Sequence, residues 1–169
     1  MSAVTESPFP IPRNVAMILA GVGCVAVGGI LAARAGDATP MIAAPAIVFG
    51  VVAITGPALY IATAAAGNAP SLTAVVRAFG VALGAFGIAL AGLILPAAFL
   101  AMSSVTNAMT IVTATGAIAG AAFLGLRRLA SELQIRPARA GGLVFFGWAV
   151  ATAGIAGRLW WDLAVAVVS

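Results

Sequence analysis

The chain has 169 residues, 63% of them hydrophobic and only 7% charged, with a mean hydropathy of +1.19. A soluble domain carries roughly a quarter charged residues, so this chain cannot cover a water-facing surface, and its solvent is expected to be lipid. The formal charge of +4 comes from eight arginines against four acids, with no lysine and no histidine. The charges stand between apolar runs rather than in a patch, which makes them topology signals and argues against nucleic acid as a partner.

The head, MSAVTESPFPIPRN (1–14), is rich in proline and reads as a cytoplasmic tail. The rest, 15–169, is expected to form a single membrane domain. Its first apolar run, 15–33, lies between Arg13 and Arg34. It exceeds the roughly 7–15 residues of a signal-peptide core and just crosses a hydrocarbon layer of about 30 Å. The short polar turn RAGDATP then leads into a second span over 41–66. Pro57, inside that run, removes one backbone hydrogen bond and is expected to kink the helix, with the freed carbonyl of Ala53 served by Thr55 or a neighbouring helix.

Pro70 and Ser71 start a third span, 72–102, whose first turns lie at headgroup depth with Arg77 reaching outward. A fourth span covers 105–126. It presents Thr106, Thr110 and Thr113 on one face, bonded to their own helix, bonded to a facing helix or lining a polar path. The stretch RRLASELQIRPARAGG follows, the only substantial polar segment. Arg127, Arg128, Arg136 and Arg139 in it are expected to meet anionic lipid headgroups, and Arg128 and Glu132 form an i,i+4 pair.

The fifth span is expected over 141–158, with Arg158 as an anchor at its outer edge, Trp160 and Trp161 at headgroup depth, and LAVAVVS along the interface. The rival reading buries Arg158 in the membrane, paired with Asp162. The continuous runs do not alternate as barrel strands do. The fold class is therefore all-α: a polytopic membrane helical bundle of five transmembrane helices. The amino terminus, second loop and fourth loop carry six arginines and the opposite side two, which predicts N-in/C-out.

Chemistry-bearing groups are few. Without histidine there is no hydrolytic triad, haem-ligating pair or His-rich metal site, and no two acids fall within the spans to make an aspartyl dyad. Cys24 is the sole cysteine. No cofactor, metal ligand or catalytic residue is expected, and the chain is read as a non-enzyme. Close-packing faces are plentiful instead. Gly80 with Gly84, and Gly116 with Gly120, have the small-xxx-small spacing that brings helix backbones together. The function expected is that of a structural or assembly subunit of a membrane complex, or a homo-oligomer, whose partners are lipid and other membrane subunits or itself. The alternative is a small transporter or channel protomer using the kinked second span and the threonine face. Abundant Ala, Gly and Arg without lysine suggest a bacterial inner membrane.

Overall fold

The computed structural model describes residues 13–65, 70–104, 106–134 and 140–168. Arg136 and Arg139 lie outside the described residues. Those described form five α-helices and no strand: α1 (Arg13–Ala35), α2 (Thr39–Ala65), α3 (Leu72–Ser103), α4 (Asn107–Glu132) and α5 (Ala140–Val168). Each is long and apolar enough to cross a membrane.

Local chemistry sets several boundaries. Gly36, at φ +70°, ends α1 by a left-handed turn and donates its amide to the Ala32 carbonyl at 3.0 Å. That is the conformation in which only glycine escapes a Cβ penalty. The Asp37 carboxylate then accepts the Thr39 amide at 3.2 Å at the start of α2. Bonds from the Thr39 hydroxyl and amide hold Asp37 below the usual carboxylate range. Ser71 caps α3 by accepting from the Ala74 amide, and Thr106 caps α4 by accepting from Met109. Each satisfies one of the amides that a helix start leaves free.

Contacts between helices give the topology. The turn at Gly28 lies on Pro40 and Met41, so α1 and α2 form an antiparallel hairpin. Ala16 meets Gly84 near one end of α1, and Arg34 meets Ala101 near the other, so α1 and α3 run parallel in constant register. Gly125 lies on Ala82 and Phe86 while Thr110 meets Ser104, so α3 and α4 are antiparallel. The bundle thus has an upper end, with Arg34, Asp37 and Ser104, and a lower end, with Arg77 and Arg127.

The core sits where α1, α3 and α4 meet. Ala16, Ala20, Cys24, Val27 and Leu31 form one buried stripe along α1, at the three- and four-residue spacing of a helix face. Phe86, Leu90, Ala114, Ala117 and Ala121 pack in the same cluster from α3 and α4. Lipid tails are as apolar as these side chains, so close van der Waals fit holds the helices together. Helix α5 is the least enclosed, and residues 143–163 include no buried side chain.

Helix α5 extends beyond its sequence-based limit, while α4 continues past its span as the Arg128–Glu132 spacing leads one to expect. Helix α4 continues through RRLASE to Glu132, where Arg128 Nη2 lies 2.8 Å from Glu132 Oε1. Helix α5 does not stop at Arg158 but runs on to Val168. The physical reason is the absence of any breaker: LWWDLAVAVV holds neither glycine nor proline, and the Arg158–Asp162 pair straddles the expected boundary within one turn of helix.

Candidate functional site

Two tryptophans fix α5 against the bundle. Trp148 Nε1 donates to the Thr55 carbonyl at 2.7 Å, and its ring meets Phe79 edge-on and Phe145 at a tilt. Trp160 Nε1 donates to Thr115 Oγ1 at 2.8 Å. Thr115 stands about 12 Å along α4 from its start, at 1.5 Å per residue. Trp160 is therefore well inside the bundle ends, and Arg158 is two residues deeper. The expectation of an Arg158 level with the outer helix ends does not match this placement, since the Trp160–Thr115 bond sets the residue below the start of α4.

Arg158 points away from the packed side of α5. Its Nη2 lies 3.3 Å from Asp162 Oδ1, with the two side chains 74% and 55% exposed. The pair is neither enclosed by the other four helices nor bonded to them among the described contacts. Gly147 and Gly154 stand on the same outward face, and a Cβ added at either would meet nothing within 4 Å. Ala151, Trp161 and Val165 complete that face, all exposed.

The glycines singled out from spacing fall into different surroundings. A Cβ on Gly84 would stand 3.0 Å from the Ala16 Cβ, and one on Gly120 would make ordinary contact with Leu93 at 3.6 Å. Gly80 lines an apolar groove with Pro57, Tyr60 and Val76. Gly116 faces open space, with none of the described residues within 4 Å of an added Cβ. The tightest approaches lie elsewhere. A Cβ on Gly87 would come within 2.5 Å of both the Ala16 carbonyl and the Ala20 amide, and one on Gly28 would strike the Pro40 carbonyl. The signal was present on the partner strip, since Ala16 and Ala20 are themselves four apart.

Around Pro57 the backbone stays helical from Thr39 to Ala65. The Thr55 hydroxyl bonds Val51 at 2.8 Å rather than Ala53. A helical threonine reaches the carbonyl one turn back, and Ala53 is only two residues away. The donor from the neighbouring helix, Trp148, likewise goes to Thr55. On α4, Thr106 is the cap, Thr110 meets Ser104 Oγ at 3.2 Å, and Thr113 bonds Met109 at 2.8 Å. Thr115 on α4 also has a partner beyond its own helix, Trp160, and the sequence pattern did not single it out.

Arg34 also has a structural task. Its Nη2 donates to the Ala101 carbonyl at 2.8 Å and to the Ser104 carbonyl, at the very end of α3. A cation there satisfies orphan carbonyls and opposes the negative end of the helix dipole. Arg34→Ala is expected to lower stability by about 1–3 kcal/mol, the cost of unmet charge-assisted bonds. Thermal unfolding in detergent checks this, with Arg34→Lys recovering part of the loss. In contrast, Arg77 and Arg127 are exposed, as is Arg128 beside Glu132.

A crevice of about 180 Å³ lies between α2, α3, α4 and α5, lined by Val51, Phe86, Leu126, Trp148 and Ala156. Thr152, also on its wall, has a buried hydroxyl with no hydrogen-bond partner. Among the described residues no three His, Cys, Asp or Glu side chains come together as a metal would require. The site with the most unusual physical chemistry is thus the outward face of α5, with its ion pair. No protein-family model, no curated protein and no solved structure matches this chain.

Proposed function

We propose that this is a non-enzymatic, multi-pass membrane protein that acts by association, as an assembly subunit or homo-oligomer, with the outward face of α5 as its docking surface. The observation that carries the reading is the Arg158–Asp162 pair, exposed on a helix that runs ten residues beyond Arg158 and six beyond Asp162. An arginine facing lipid at the helix centre costs about 2.5–3.5 kcal/mol on the mildest scale. Charges within a membrane are covered by protein or water, and none of the described residues of the other helices covers these. The glycines beside the pair leave room for a second backbone to approach.

In this reading the lower end, with Arg77, Arg127 and Arg128, lies in the cytoplasm of a bacterium, against anionic headgroups of the inner membrane. Arginine-rich short loops are retained on that side, and the carboxyl terminus is then outside. A transport path lined by the fourth helix has less support, because Thr106, Thr110 and Thr113 each have a bonding partner already.

The test is the size of the assembly extracted gently from membranes. The expected result is a complex heavier than the 16.6 kDa chain, lost when Gly154 is replaced by Leu. A monomer in every mild detergent and in lipid nanodiscs would sink the reading. Orientation is checked in intact cells with Ser131→Cys in a Cys24→Ala chain. It should resist an impermeant thiol reagent added outside, and labelling there would invert the topology.

A further inference from the structure

The partner of the α5 face follows from its charges. We infer that it is the same face of a second copy, packed parallel about a two-fold axis along the membrane normal. The inference rests on the reading of α5 as a docking surface.

The face carries one positive and one negative side chain a single turn apart: Arg158 and Asp162, already 3.3 Å from one another. A parallel copy places its own Arg158 at the same level and its Asp162 about 6 Å further along. An arginine side chain spans that offset. Each guanidinium then lies between two carboxylates, one from its own helix and one from the second copy. Both crossings are made at once, because a two-fold interface is self-complementary. The four charges close into a neutral ring removed from lipid. A partner bearing only one sign of charge leaves either Arg158 or Asp162 opposed by a like charge.

The backbone provides the space. Gly147, Ala151, Gly154, Arg158, Trp161 and Val165 succeed one another at alternating steps of four and three residues. That is the 3.5-residue repeat that keeps one seam facing a partner along a left-handed pair. All six are exposed, and both glycines have open space where a Cβ would be. The seam has small residues in its lower half, where the helices come closest, and its charges and larger side chains above. An antiparallel copy also matches charges, but it must insert upside down, against the arginine asymmetry of the two ends.

Disulfide crosslinking in membranes tests this. Single cysteines are placed at Ala151, Gly154 and, on exposed α2, Ile54, each in a Cys24→Ala chain. The open surroundings of Gly154 accept a cysteine without repacking. On mild oxidation most of the Ala151→Cys and Gly154→Cys protein is expected to shift to twice the chain mass. Ile54→Cys stays monomeric, and two differently tagged copies co-purify. If Gly154→Cys gives no dimer while the extracted complex remains heavier than one chain, the second copy is wrong and the docking surface stands. If the chain is monomeric throughout, both fall. Equal dimer yields at Ile54 and Gly154 would mean random collision and would also overturn the two-fold pairing.

Discussion

Gly87→Leu should abolish the folded bundle, or lower its stability by about 3 kcal/mol or more, whereas Gly116→Leu should leave it nearly unchanged. A Cβ on Gly87 already comes within 2.5 Å of the Ala16 carbonyl and the Ala20 amide. Both are backbone atoms of a neighbouring helix, so no side-chain rotation relieves the clash. Even Gly87→Ala forces α1 and α3 apart. Overpacking a dense core typically costs about 1–3 kcal/mol, and here it also disturbs the stripe Ala16–Ala20–Cys24 that fills the centre of the bundle. In lipid, close fit is the main attraction between helices, so separating them forfeits the driving force itself. Gly116 has no neighbour within 4 Å. Unfolding of both variants in a graded mixture of mild and denaturing detergent gives the comparison. Equal stabilities would mean that the α1–α3 contact does not hold the fold.

Asp162→Ala is the second large effect. Removing the carboxylate leaves Arg158 with no counter-charge on the outward face of α5, ten residues before the helix ends. Breaking an ion pair shielded from water costs about 3–5 kcal/mol, because the remaining charge is uncompensated. The expected outcome is loss of the assembled species and a fall in inserted protein. The exchange of Arg158→Asp with Asp162→Arg restores the pair and should recover part of the loss. The same pair in headgroup water is worth only about 0–1 kcal/mol. A silent Asp162→Ala, measured by membrane yield and complex size, would return Arg158 to the role of a surface anchor.

The five helices were legible from the sequence because uninterrupted apolar runs bounded by Arg, Gly and Pro leave little choice in a chain so poor in charge. The packing was legible only in part. Gly84 was found by its spacing from Gly80, yet the closer contact is at Gly87, three residues on, and its partners lie on α1. Spacing within one helix marks where backbones can approach, not which helix arrives. Arg34 was read as a topology signal, but its hydrogen bonds go to Ala101 and Ser104, a pairing no local pattern encodes. The end of α5 was missed for a different reason. The cost of a charge in lipid argued for ending the span there, while local propensity offered nothing to end the helix. Propensity prevailed: the helix runs to Val168, and Asp162, one turn on, lies 3.3 Å from Arg158.

Cover by protein over the outward face of α5 within the membrane is the property that decides between association and a lone bundle. A nitroxide at Gly154, in an otherwise cysteine-free chain in liposomes, reports this through collisions with oxygen, which concentrates in lipid, and with a water-soluble nickel chelate. Ile54, 78% exposed on α2, serves as the lipid-facing reference. The account predicts that Gly154 is shielded from both reagents, with oxygen accessibility well below that at Ile54. Oxygen accessibility at Gly154 equal to that at Ile54, or ready collision with the nickel chelate, would contradict it.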